Sequence, residues 1–160
     1  MTPLRALAWP LALAVFGFAA EGTAPAPIQI DAENVEWVGG PPSLPPNTKV
    51  AVLEGSPKKP ALFTMRVKLP PKARIAPHWH PKDERVTVLS GSVHVAFGDE
   101  FDETRARLFR AGAYYVNPAG RRHYLWTGEG TVLQITTIGP WELHYLDEKP
   151  PPQDSPENSP

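Results

Sequence analysis

Two histidines one residue apart, His78 and His80, open the stretch HWHPKDERVTVLSG, with Glu84 four residues after the second and Gly91 closing it. In an extended chain side chains alternate between faces, so His78 and His80 point one way and Trp79 the other. Pro81 ends the regular pattern and PKD reads as a turn. Glu84 is therefore expected to open a strand that runs back beside the first, with its carboxylate near both imidazoles. Two imidazoles and a carboxylate meeting at one point suit a divalent metal ion. A fourth candidate stands in GAYYVNPAGRRHYLWT, where Pro118 and Gly120 shape a tight turn and His123 starts the strand leaving it. The 160 residues include no cysteine, which excludes thiolate ligands, thiol nucleophiles and disulfides.

These side chains need strands to hold them, and the sequence is rich in short ones. KVAVLEG (Lys49–Gly55), ALFTMRVKL (Ala61–Leu69), RVTVLSG (Arg85–Gly91) and SVHVAFG (Ser92–Gly98) are followed by AYYV from Ala113, RHYLWT from Arg122, TVLQITTI from Thr131 and WELHYL from Trp141. All are rich in β-branched and aromatic residues and punctuated by Gly, Pro, Asn and Asp. Ser90–Gly91 and Gly128–Gly130 read as hairpin turns. DEFDETRARLF, from Asp99, is the one stretch with helical character. Many short strands with almost no helix predict an all-β sandwich or small barrel.

The two histidine stretches resemble the paired motifs of the cupin superfamily. The first motif, G(X)5HXH(X)3,4E(X)6G, matches at His78, His80, Glu84 and Gly91, with Lys72 in place of the leading glycine. The second, G(X)5PXG(X)2H(X)3N, matches at Gly112, Pro118, Gly120 and His123, with Thr127 in place of the final asparagine. The resemblance runs over about residues 61–137. It implies a small antiparallel β-barrel of jelly-roll type that holds one divalent transition metal (Fe, Mn, Zn, Ni or Cu) through His78, His80, Glu84 and His123. Its members include dioxygenases, isomerases, epimerases, decarboxylases, storage proteins and sensory domains, so neither fold nor ligand set selects a reaction.

Other residues carry weaker signals. His94 reads as a satisfied or solvated histidine rather than a group facing the barrel interior, and His144 as structural. Gln134 and Thr136 alternate with Leu133 and Ile135, so they face either the interior or solvent. Tyr124 and Trp126 fall on the face opposite His123, which a second sheet or the second subunit of a homodimer would cover. Arg121 and Arg122 flank His123, where they would be solvated or would attract an anionic substrate.

The formal net charge of −1 gives no reason to expect nucleic acid as a partner. The N-terminus runs from MTPLR through the apolar ALAWPLALAVFGFAA to the polar, proline-rich EGTAPAP, the order of a secretory signal peptide cleaved near Ala19 or Ala20, with Ala24 as the alternative. The apolar run is shorter than the ~20 residues of a membrane span, so no span is expected to remain after cleavage. The expected organisation is a signal peptide over residues 1–20, an N-terminal extension with the loop GGPPSLPPN over 21–47, the barrel over 48–147 and a disordered proline-rich tail over 148–160. The expected protein is periplasmic or secreted and acts on a small chelating molecule. Oxidation by dioxygen is the first choice of chemistry, with Glu84 doubling as catalytic base. Non-redox lyase or isomerase chemistry, and a non-catalytic metal- or ligand-binding module, are the alternatives.

Overall fold

The structure, a computed structural model, describes residues 25–146, so the expected signal peptide and tail lie outside the described residues. Eleven strands follow in chain order: β1 (Val38–Gly39), β2 (Lys49–Glu54), β3 (Leu62–Leu69), β4 (Arg74–Trp79), β5 (Glu84–Ser90), β6 (Ser92–Phe97), β7 (Arg107–Arg110), β8 (Tyr114–Asn117), β9 (His123–Trp126), β10 (Thr131–Ile138) and β11 (His144–Tyr145). They form two antiparallel sheets, a six-stranded one in the order β1-β2-β3-β10-β5-β8 and a five-stranded one in the order β11-β4-β9-β6-β7. This is the expected all-β jelly-roll barrel. No helix among the described residues is long and apolar enough to cross a membrane.

The core lies between the sheets and follows from period-two patterning. In β3, Phe63, Met65, Val67 and Leu69 are buried, while Thr64, Arg66 and Lys68 face out. Val86 and Val88 of β5 and Leu133 and Ile135 of β10 add to that wall. Ile75, Val93, Val95 and Leu125 meet them from the five-stranded sheet. Gln134 and Thr136, whose direction alternation leaves open, face outward: Arg66 Nε donates to Gln134 Oε1 at 3.2 Å, and the hydroxyls of Thr64 and Thr136 lie 3.0 Å apart. The proline-rich stretch also joins the barrel, because β1 pairs with β2 and Leu44 is buried in the core cluster.

Three local expectations are corrected. Ser90–Gly91 and Gly128–Gly130 are not hairpins but corners, since β5 and β6 lie in different sheets, as do β9 and β10. The two corners pack on each other. Gly91 has φ +71°, and a Cβ there would meet Gly130 O at 2.4 Å, so only glycine fits. DEFDETRARLF forms one 3-10 turn (Glu103–Arg105) and then β7, because it has no apolar helical stripe to bury. Instead Phe101 packs on Tyr124 and Trp126, with ring centroids 4.9 and 5.3 Å away. The Tyr124 hydroxyl donates to Asp102 O at 2.9 Å, so this loop of the same chain covers the face opposite His123.

Candidate metal centre

The ligand candidates come from both sheets. His78 lies at the end of β4 and pairs in register with His123 at the start of β9, so their rings are neighbours with centroids 4.2 Å apart. His80 follows just beyond β4, its ring 5.0 Å from that of His78 and 5.3 Å from that of His123. Glu84 does not run back beside β4 as expected. Pro81–Asp83 crosses to the other sheet, and β5 brings the carboxylate in across the barrel. The two motifs are tied together here, with Gly120 N–H donating to His80 O at 2.8 Å and Ala119 N–H to Asp83 Oδ1 at 2.9 Å. Gly120 has φ +69°, which glycine adopts freely.

The two departures from the motifs have visible roles. Lys72, at the missing glycine, adopts φ +59° itself. Thr127, at the missing asparagine, accepts from Ala73 N–H at 3.1 Å and donates to Pro70 O at 2.9 Å, which clamps that turn.

The histidine tautomers follow from their partners. Nδ1 of His78 lies 2.7 Å from Ala76 O, that of His80 2.7 Å from Glu142 O and that of His123 3.0 Å from Arg121 O. A carbonyl only accepts, so each Nδ1 carries a proton; Nε2 of His78 and His123 is left for the centre, while Nε2 of His80 faces Glu84. Such carbonyl contacts orient metal-binding imidazoles. One ligand atom from each of the three histidines lies within 4.8 Å of the others, close enough to hold a metal ion. His123 Nε2 is buried and has no hydrogen-bond partner, as a lone pair kept for a cation would be.

Glu84 lies beside the cluster and is bonded to His80, but it is not among the three residues whose ligand atoms lie within 4.8 Å of one another. Its Oε1 accepts from Trp141 Nε1 at 2.7 Å, and its Oε2 from Asn117 Nδ2 at 3.2 Å and His80 Nε2 at 3.1 Å. Burial pushes its carboxyl up, but the His80 charge and hydrogen bond and the Trp141 N–H outweigh it and hold it at about 2. Burial lowers His80, yet the Glu84 charge, the Glu84 hydrogen bond and the Glu142 carbonyl together raise it above the ordinary histidine value. His80 is thus the charged partner of Glu84. Burial, then repulsion from His123 and His80, holds His78 well below its usual value. Burial likewise brings His123 down to about 4, so both rings are neutral.

The cavity at these groups measures about 30 Å³ and is lined by apolar Leu44 and Leu143, by Trp141, and by polar Tyr115 and Asn117. A larger hollow of about 470 Å³ lies under the proline-rich loop, but it is lined by no histidine or carboxylate. Of the weaker candidates, His94 faces away from the core and stacks on Trp126 at 4.7 Å, but its Nδ1 is buried without a hydrogen-bond partner, so it is not the satisfied or solvated histidine expected. His144 stacks on Trp79 at 4.3 Å and meets Glu142 Oε2 at 2.8 Å near the surface. Arg122 pairs with Asp99, and Arg121 lies 5.9 Å from the Phe97 ring. Sequence reasoning missed Trp141, Asn117, Tyr115 and Leu44. For Tyr115 and Asn117 a signal existed, since YYVN in a strand puts both on one face.

The ChrR Cupin-like domain family matches residues 25–142. The chain belongs to this cupin family. Among curated proteins, Germin-like protein 3-1 of Oryza sativa subsp. japonica is 40% identical over 79 residues, 49% of this chain and 35% of that protein. The match thus takes in only about a third of that relative's length. Solved structures of the same fold include the polyketide cyclase RemF from Streptomyces resistomycificus, at TM-score 0.62 and 17% identity over 76% of this chain and 86% of that one. The acetylacetone dioxygenase from Acinetobacter johnsonii aligns at TM-score 0.59 and 17% identity over 81% and 83% of the two chains. An oxalate oxidase aligns at TM-score 0.51 and 21% identity over 68% and 60%.

Proposed function

We propose that this cupin is an exported protein that binds one divalent transition metal through His78, His80, His123 and Glu84 and oxidises a small chelating molecule with dioxygen. One observation carries the metal reading: three imidazoles, each oriented by a backbone carbonyl, aim Nε2 into one buried spot where His123 Nε2 has no other partner. The donor set is nitrogen and oxygen, which suits iron, manganese, nickel, copper or zinc. A divalent ion there would supply a redox-active centre if iron or manganese, or a Lewis acid if zinc. The chain's own residues do the rest. Trp141 and Asn117 fix the Glu84 carboxylate, and Leu44 and Leu143 exclude bulk water. Glu84 is assigned as ligand first and as base second, because the contacts that keep it ionised also weaken it as a proton acceptor.

The fold neighbours include a cyclase and a sugar phosphate isomerase as well as oxygen-using enzymes, so they do not choose the chemistry. The choice rests on metal-dependent turnover. Iron(II)- or manganese(II)-loaded protein should consume dioxygen with a member of a panel of enediols, catechols, dicarbonyls and hydroxy or sugar acids, and zinc-loaded protein should not. Equal turnover by the zinc form without oxygen would replace oxidation by lyase or isomerase chemistry. The small cavity favours a second reading, a non-catalytic metal- or ligand-binding module. That reading prevails if no metal form turns over any compound yet ligands still raise the melting temperature. For export, N-terminal sequencing of the exported protein should find the mature chain starting at Ala20 or Glu21, and an intact Met1 would end that part of the proposal.

A further inference from the structure

Three polar atoms of the pocket residues are buried without a hydrogen-bond partner: His123 Nε2, the Tyr115 hydroxyl and Asn117 Oδ1. A metal ion accounts for the first. It leaves the other two, and an unpaired buried polar atom is costly enough to need an explanation. Both belong to β8, two residues apart and so on one face, where Asn117 pairs in register with Glu84 and Tyr115 with Val86. The orientation of Asn117 is set by its neighbour. Its Nδ2 donates to Glu84 Oε2 at 3.2 Å, a carboxylate oxygen that only accepts, so Oδ1 is the atom left over. Oδ1 is an acceptor and calls for a donor. The phenol, which donates, calls for an oxygen.

We propose that Tyr115 and Asn117 form a ligand-recognition wall beside the metal centre, and that the ligand is a short α-hydroxy carboxylate. Its carboxylate accepts from Tyr115, its hydroxyl donates to Asn117 Oδ1, and the same compact group reaches the ion. This assignment rests on the site being a metal centre. A diketone or a fully ionised dicarboxylate brings acceptors alone and would leave Oδ1 unpaired. The cavity of about 30 Å³, flanked by Leu44, Leu133 and Leu143, keeps the ligand to a few heavy atoms.

The test uses glycolate, and methoxyacetate as the probe that lacks the donor. In cobalt(II)-loaded protein, whose visible spectrum reports ligands reaching the ion, glycolate should bind about tenfold more tightly than methoxyacetate. Asn117→Leu should erase that preference, and Tyr115→Phe should weaken glycolate by about tenfold. Tyr115→Phe also removes a hydroxyl with no partner inside the protein, so metal-free Tyr115→Phe should melt no lower than the parent. Equal affinity of the parent for the two probes overturns the proposal. So does a lower melting temperature for metal-free Tyr115→Phe, since the hydroxyl would then have an internal partner. If the parent takes up no cobalt, the metal reading fails and the ligand assignment falls with it. A parent that takes up cobalt but does not discriminate between the probes sinks the ligand assignment alone.

Discussion

His123→Ala should lower the affinity for a divalent ion at least about a hundredfold, since altering a residue that merely orients a ligand already costs about 10- to 100-fold. His78→Ala and His80→Ala should do the same. His144→Ala should keep the parent's metal content, because His144 meets only Trp79 and Glu142 near the surface. Binding to the folded state alone should stabilise the parent by about 2.7 kcal/mol when free metal is about a hundred times its dissociation constant. The ligand variants should lose most of that gain. The measurement is metal content after equilibrium dialysis, paired with melting temperatures with and without added ion. Equal metal content in His123→Ala and His144→Ala would rule out the ligand set. The site also sets how uptake responds to pH. His80 Nε2 donates to Glu84 in the metal-free site, so a metal that takes this nitrogen must displace its proton. Apparent affinity should fall by about tenfold per pH unit below the raised His80 value.

Much of this centre was legible in residue types and spacing. His78 and His80 share a face because strands alternate, and the tight turn at Pro118–Gly120 does deliver His123 to them. The strand runs were legible for the same reason, since buried and exposed residues alternate cleanly in β3 and β10. What alternation does not encode is which sheet a strand joins. The turn at Pro81–Asp83 and the corner at Gly91 look like hairpin punctuation, yet both cross between sheets, and only long-range packing decides that. Trp141 escaped notice because its hydrogen bond to Glu84 spans 57 residues of sequence. Leu44 escaped because a proline-rich stretch reads as a surface loop, although this one apolar side chain of it packs into the core cluster.

Acid should destabilise the metal-free protein in two stages, with His78 and His123 responsible for the first. Both are held neutral by burial, His123 at about 4, whereas in the unfolded chain a histidine takes up its proton near 6.5. As pH falls below 6.5 the unfolded state binds protons that the folded state refuses, so stability is lost through the window from 6.5 down to about 4. At about 1.4 kcal/mol per pH unit, His123 alone accounts for about 3 kcal/mol, and His78 adds to it in the same direction. His80 has the opposite sign: its raised value contributes stability that is fully present below 6.5 and disappears as pH rises through the folded value. It cannot offset the acid loss, because its contribution is already complete where that loss begins. Glu84 brings the second stage. Its carboxyl, at about 2 when folded against a usual 4.5, contributes stability present above 4.5 and lost as pH drops toward 2. Small domains have only about 5–15 kcal/mol to lose, so these terms should remove a large part of the metal-free protein's stability as the pH falls. Urea denaturation of chelator-treated protein between pH 7 and 4 measures the first stage. His123→Gln, which removes one titrating group, should flatten the slope by up to about 1.4 kcal/mol per pH unit. An identical slope in parent and variant would mean that His123 takes up its proton in the folded state as readily as in water, and that it is not held neutral for a metal ion.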